Sequence, residues 1–143
     1  MSLSDSERAL LKDAVGAMIP ADAALGLPGA DDPAILDDLL ASLGRDLALV
    51  QQGLAGLAAR DFDRLDRDGR EALLNELAKG GHAGLAAIGR VAVSAYYRDG
   101  RVLRSIGMEP GAPFPRGYAV EPGDWSLLDV VKTRAPFWRD DRA

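Results

Sequence analysis

Apolar side chains recur at intervals of three and four residues through roughly the first 97 positions, and this periodicity constrains the fold more than any other feature. The first such segment opens with Ser4 and Glu7, which have the spacing of a capping box. Its apolar stripe consists of Leu10, Leu11, Ala14, Val15, Met18 and Ile19. No segment alternates apolar and polar residues as a half-buried strand would. We therefore predict an all-α fold, with a bundle of about five helices followed by a long irregular C-terminal segment rich in proline and aromatic residues.

Proline, glycine and capping residues set the predicted helix boundaries. Pro20 ends the first helix, because the residue before a proline is pushed out of the helical region. Asp32 caps the second helix and Pro33 takes its first position, where a missing N–H costs nothing. Gly44 either breaks or weakens the helical pattern, and Gly80-Gly81 ends the fourth helix. The predicted helices span about 4–19, 33–43, 45–59, 67–79 and 82–97, with short ones near 102–106 and 126–134.

The length of 143 residues suggests one domain, large enough to bury about 68% of its unfolded surface. We predict a single helical domain, with a bundle over residues 1–98 and an extended arm over 99–143. The helix predicted for 82–97 is rich in small residues, which indicates that another backbone approaches it closely. These small residues are Ala83, Gly84, Ala86, Ala87 and Gly89.

Charge and composition exclude several classes of function. Residues 1–89 carry 8 basic and 15 acidic side chains, whereas residues 90–143 carry 9 and 7. An acidic body argues against nucleic acid, since phosphate binding needs concentrated positive charge. No apolar run approaches the roughly 20 residues that a membrane helix needs, so we expect no direct membrane insertion. The chain has no cysteine and one histidine, so neither a thiolate nor a histidine cluster can hold a metal.

Two short features resemble functional sites, a calcium-binding loop and a catalytic histidine, but their residues do not fit these roles. With Gly69 placed sixth in a calcium-loop template, Arg64 falls at the first ligand position and Asn75 at the twelfth, where carboxylates are required. Asp66 is better explained as a helix cap. His82 follows a glycine pair at a helix start, and no carboxylate or nucleophile is identified beside it. We therefore predict no catalytic, cofactor-binding or metal-binding residue in this chain.

The last third of the chain holds seven of its eight aromatic residues and five of its eight prolines. Pro113 and Pro115 flank Phe114 and present it on stiff, extended chain. Tyr96 and Tyr97 point about 100° apart on a helix, so one can pack inward while the other faces outward. Large aromatic residues are typical anchors of protein interfaces. The predicted partner-binding residues are Tyr97, Phe114, Pro115, Tyr118, Trp125, Phe137 and Trp138.

Short motifs spread over about 120 residues resemble those of one protein family. Met18 to Asp22 is similar to an "IIPAD" signature, and the paired Tyr96-Tyr97 and the Ile106-Gly107 step follow in order. The remaining matches are Phe62, Leu65, Arg70, Leu73, Leu74 and Leu77, the stretch 111–117, Gly123-Asp124-Trp125, and Leu127-Leu128-Asp129. Together they resemble the gluconate 2-dehydrogenase subunit 3 family, the small subunits of FAD-dependent sugar and alcohol dehydrogenases of the GMC type.

This resemblance implies a helical, non-catalytic accessory subunit that binds a large flavoprotein and stabilises or matures it. FAD is then expected in the partner, and a c-type cytochrome subunit completes some complexes of this kind. Some members carry a twin-arginine leader, but no such signal precedes Ser4. The expected location of the chain as it stands is therefore the cytoplasm, with the periplasm as the alternative if a leader was removed or the partner carries the signal.

The alternative function is a stand-alone small helical enzyme or ligand-binding domain. Its pocket would be formed by Tyr96, Tyr97, His82 and Arg104. The two hypotheses differ in whether the purified chain turns over a substrate by itself.

Overall fold

The computed structural model describes residues 2–111 and 122–135. They belong to two compact units, Met1–Gly111 and Ala112–Ala143. The described residues form seven α-helices and no β-strand beyond an isolated bridge between Asp22 and Leu27, which confirms the predicted all-α class.

The first unit contains six α-helices joined by short connections. They are α1 (Asp5–Met18), α2 (Pro33–Ser42), α3 (Leu47–Ala58), α4 (Arg67–Lys79), α5 (Ala83–Tyr96) and α6 (Gly100–Ser105). Short 3-10 turns precede α3 at Gly44–Asp46 and α4 at Phe62–Arg64. Gly44 has φ +40°, a conformation that favours glycine, so it breaks the helical path and the predicted helix at 45–59 begins as a 3-10 turn.

The helix starts are capped by the residues that the sequence indicates. Ser4 and Glu7 form the complete capping box of α1, and Asp32 accepts a hydrogen bond from the Ala34 N–H at the start of α2. Asp66 caps α4 by accepting from the Gly69 N–H, which confirms the capping explanation for this residue. These caps fix where each helix enters the bundle.

Helix α5 lies at the centre of the first unit and buries eight of its residues. It crosses α3 at Gly53 and Gly84, where a Cβ on Gly84 would collide with the Gly53 backbone. The small residues of α5 therefore do allow a close backbone approach, as predicted, at Gly84. Among the described residues every buried side chain is apolar. The largest fully buried ones are Phe62, Leu11, Ile35, Leu39, Leu54, Leu57 and Ile88.

Three ion pairs connect two segments of the chain, one running from α5 into α6 and the other containing α2 and the 3-10 turn after it. Arg90 pairs with Asp46 at 2.6 Å, Arg98 with Asp38 at 2.7 Å, and Arg101 with Asp32 at 2.8 Å. The arginine numbers rise as the aspartate numbers fall, so the two segments run in opposite directions. The basic residues that begin at Arg90 thus offset part of the acidic charge of the preceding helices.

The second unit contains a 3-10 turn at Trp125–Leu128 that continues into α7 (Asp129–Lys132). Asp124 caps the turn, accepting hydrogen bonds from the Ser126 N–H at 3.0 Å and the Ser126 hydroxyl at 2.6 Å. These bonds hold the pKa of the Asp124 carboxyl below its ordinary value. The short helix predicted near 126–134 is therefore present, divided into a 3-10 and an α portion.

Candidate functional site

A groove of about 1140 Å³ lies between α1, α4 and α5 in the first unit. We call its apolar lining residues the floor and its charged and polar lining residues the rim. The floor is formed by Ala17, Met18, Leu65, Leu74, Ala78, Leu85, Ala86 and Gly89, and the rim by Lys12, Asp13, Asp31, Arg67, Arg70, Glu71, Asn75 and His82. The groove has the size and the apolar lining of a binding site.

Small residues on α5 keep the groove open. Gly84 and Ala87 are buried, with Gly84 against α3, whereas Ala86 and Gly89 line the groove. A Cβ built on Gly89 meets no heavy atom within 4 Å, so open space lies over this position. The small residues of α5 therefore serve two surfaces, and the sequence alone indicated only the close helix contact.

Arg70 holds the α4 side of the groove in place. Its guanidinium donates to the Asp13 carboxylate at 3.0 Å and to the Asp63 carbonyl at 3.1 Å, and its Nε donates to the Leu65 carbonyl at 3.1 Å. The guanidinium carbon also lies 5.3 Å from the centroid of the Phe62 ring, which is within cation–π range. One side chain thus ties α4 to α1 and to the 3-10 turn before α4.

His82 lines the groove and has a structural role there. The residue before it, Gly81, has φ +70°. The Gly81 N–H donates to the Ala78 carbonyl and the His82 N–H donates to the Leu77 carbonyl, which is a Schellman motif that ends α4. The His82 Nδ1 then accepts a hydrogen bond from the Leu85 N–H at 3.2 Å and caps α5. The neutral ring consequently carries its proton on Nε2. With Nδ1 engaged, His82 lacks the free acceptor nitrogen that a general base requires.

The remaining rim charges are available to a bound molecule. Lys12, Arg67, Asp31 and Glu71 make no ion pair within the described part of the chain. None of the described residues that line the groove carries a hydroxyl or thiol. The arrangement therefore suits recognition of an apolar group flanked by charges of both signs, and it offers no nucleophile of the serine or cysteine type.

The structure does not bring together the residues of the alternative pocket. His82 precedes α5 and Tyr96 ends it, so the two are separated by about 20 Å at 1.5 Å per residue. Arg104 belongs to α6, and its guanidinium lies near Gly100. Of the four residues, only the adjacent Tyr96 and Tyr97 lie side by side, since Arg104 and His82 belong to different ends of the unit.

The two tyrosines face different surroundings, as their helical positions predict. Tyr96 is buried at 7% exposure, and its burial raises the pKa of its phenol. Tyr97 is 51% exposed and packs edge-to-face on Tyr96, with ring centroids 5.5 Å apart. Tyr96 therefore belongs to the core, and Tyr97 is a surface aromatic residue, as a partner-binding role requires.

The described part of the second unit presents large apolar side chains to solvent. Trp125 is 70% exposed, and the exposures of the five such residues range from 43% to 76%. They are Trp125, Leu127, Leu128, Val130 and Val131. We call this set the apolar segment. The other predicted partner-binding residues, Phe114, Pro115, Tyr118, Phe137 and Trp138, lie outside the described residues.

Over 2–111 and 122–135, no helix is both long enough and apolar enough to cross a bilayer. Within the same ranges, no group of three or more His, Cys, Asp or Glu side chains is arranged to hold a metal ion.

Comparison with known proteins found no match for this chain among protein-family models, curated proteins or solved structures. The resemblance to the gluconate 2-dehydrogenase subunit 3 family therefore stays a prediction from short motifs.

Proposed function

We propose that this chain is a non-catalytic accessory subunit that binds a large FAD-dependent dehydrogenase of the GMC type and stabilises or matures it. The observation that carries the proposal is the apolar segment, in which five large side chains are exposed within seven residues. FAD would be bound by the large subunit, and a c-type cytochrome is a further candidate member of the complex.

The exposure of the apolar segment favours a binding role on physical grounds. Exposure of the Trp125, Leu127 and Leu128 side chains to water is energetically unfavourable. Exposed apolar surface of this kind is typical of interaction sites. A tryptophan buried at the centre of an interface contributes about 2 kcal/mol or more to the binding free energy. Covering this segment with a partner would therefore supply a substantial part of the affinity.

The groove of the first unit supports the same proposal. It combines an apolar floor with charges of both signs at Lys12, Arg67, Asp31 and Glu71, as protein interfaces combine an apolar centre with a polar rim. Ala86 and Gly89 would allow a partner backbone to approach α5 closely. The exposed Tyr97, directly after α5, would add an aromatic contact.

Co-expression with the flavoprotein encoded in the neighbouring reading frame tests the proposal. Trp125→Ala removes the largest exposed aromatic side chain among the described residues, and Gly89→Trp fills the groove at a position with open space above it. We expect each to weaken the complex by about tenfold or more, as hot-spot losses do. Far-UV circular dichroism of the free chain should be unchanged.

Matched control variants separate binding from general surface change. Leu25→Ala truncates an apolar residue with 69% exposure outside both surfaces, and Ala72→Trp adds bulk to an exposed position of α4 away from the groove. Both should leave binding of the flavoprotein unchanged. Equal affinity for all four variants, or turnover of a sugar or alcohol by the purified chain alone, would refute the accessory role.

A further inference from the structure

Helix α6 is short and is held to the bundle by few contacts. It has six residues, of which one, Val102, is buried, whereas α5 has eight buried residues. An isolated helix of this length is unstable in water, because the free-energy cost of nucleation exceeds the stabilisation from the hydrogen bonds of so few residues. Its persistence therefore depends on its two ends and on its attachment to α2.

Both ends of α6 are closed by local hydrogen bonds. At the start, the Asp99 carboxylate accepts from the Arg101 N–H at 2.8 Å. At the end, Gly107 has φ +76°, its N–H bonds to the Arg104 carbonyl at 3.1 Å, and the Met108 N–H bonds to the Leu103 carbonyl at 2.9 Å. This is a Schellman motif, which terminates the helix and reverses the chain direction. The segment 99–108 is thus bounded at both ends by its own local hydrogen bonds.

Arg101 attaches this element to the start of α2. Its guanidinium donates to both oxygens of Asp32, at 2.8 and 3.0 Å, and to both oxygens of Asp99, at 2.8 and 3.0 Å. Asp32 is also the cap of α2, and Asp99 is the cap of α6. One guanidinium therefore joins the capping carboxylates of two helices, and Arg101 itself lies 69 residues from Asp32 in sequence.

We infer that segment 99–108 is a clasp that opens as a unit without unfolding of the bundle, and that the Arg101–Asp32 pair is the contact that closes it. Opening would separate Arg101 from Asp32 and withdraw Val102 from the core, while the core contacts of α1 to α5 remain. Local openings of this kind occur where few apolar contacts hold an element. The clasp ends three residues before Gly111, the last residue of the first unit.

Native-state hydrogen exchange of the full chain, read residue by residue, tests this inference. We expect the amides of Leu103, Gly107 and Met108, which are hydrogen-bonded within the clasp, to exchange by openings that are insensitive to low denaturant. Amides in the middle of α5, such as that of Ala92, should exchange only by openings that increase steeply with denaturant.

Asp32→Asn isolates the closing contact. Asparagine caps a helix as well as aspartate does, so α2 keeps its cap while the ionic pair with Arg101 is lost. We expect exchange in the clasp to accelerate by up to about fivefold, the range for a well-formed and partly exposed ion pair. Exchange in the middle of α5 should change less than that.

Asp38→Asn is the matched control, because it removes the neighbouring ion pair of α2, between Asp38 and Arg98, and leaves Arg101 paired. It should leave exchange in the clasp unchanged. The inference would be overturned if Asp32→Asn had no effect on the clasp, if Asp38→Asn accelerated it equally, or if the clasp amides exchanged only together with those of α5. None of these outcomes depends on the identity of a binding partner, so this test is independent of the proposed accessory function.

Discussion

At the scale of single residues, Arg70 should contribute more to stability than any exposed arginine of the bundle. Its guanidinium serves one carboxylate and two backbone carbonyls, and its side chain is 22% exposed. Lysine keeps the charge but cannot donate in these three directions at once. We expect Arg70→Lys to lower the free energy of unfolding by about 2 kcal/mol, the scale of lost hydrogen bonds that involve charged groups. Urea denaturation followed by circular dichroism measures this change.

The control for this prediction is Arg60→Lys. Arg60 pairs with Glu76 at 3.0 Å, but both side chains are largely exposed, so the change should stay within about 0.5 kcal/mol. Equal effects of the two substitutions would show that the three acceptors of Arg70 add no stability. The motif resemblance singled out Arg70, but the sequence did not reveal its acceptors, since Asp13 lies 57 residues away.

At the scale of helices, two glycines of α5 should respond to alanine in opposite directions. Gly89 has open space above it, so Gly89→Ala should stabilise the first unit by about 0.5–1 kcal/mol through helix propensity alone. At Gly84 a Cβ would collide with the backbone of Gly53, so Gly84→Ala should destabilise the unit by about 1–3 kcal/mol as α3 and α5 are forced apart. Thermal unfolding of the two variants checks the sign, and destabilisation by Gly89→Ala would contradict the open groove.

The same helix shows how far the sequence alone could lead. Periodicity and capping residues are local signals, and they predicted α1, α2, α4 and α5 to within a residue or two, including the stop at Gly80-Gly81 and the cap at Asp66. The small residues of α5 predicted a close helix contact, which Gly84 makes. The small residues did not show which of Gly84 and Gly89 makes that contact, because tertiary packing decides which face of α5 meets α3. The groove and the Arg101 attachment escaped prediction for the same reason: both join residues that are distant in sequence.

At the scale of the whole molecule, the capping carboxylates should make the first unit sensitive to acid. Arg101 holds the pKa values of Asp32 and Asp99 below their ordinary range, and hydrogen bonds from Ser4 do the same for Glu7. A carboxyl group with a lowered folded-state pKa stabilises the fold above its unfolded-state pKa, and that contribution is lost as the pH falls through the folded-state value. The free energy of unfolding should therefore be level near pH 6 and should fall below about pH 4, where unfolded carboxyl groups begin to bind protons.

Removing one of these carboxylates should make the acid sensitivity smaller. Asp99→Asn keeps the cap of α6 and removes one charge next to Arg101, so stability near pH 6 should decrease while stability near pH 2.5 stays close to that of the unmodified chain. Asp124→Asn is the control, because the Asp124 carboxyl also has a lowered pKa but lies in the second unit. Urea denaturation across this pH range, monitored by hydrogen exchange of the α5 amides, reports on the first unit alone. An acid dependence that Asp99→Asn leaves unaltered would mean that general charge repulsion, rather than the pairing of Asp99 with Arg101, drives the loss of stability.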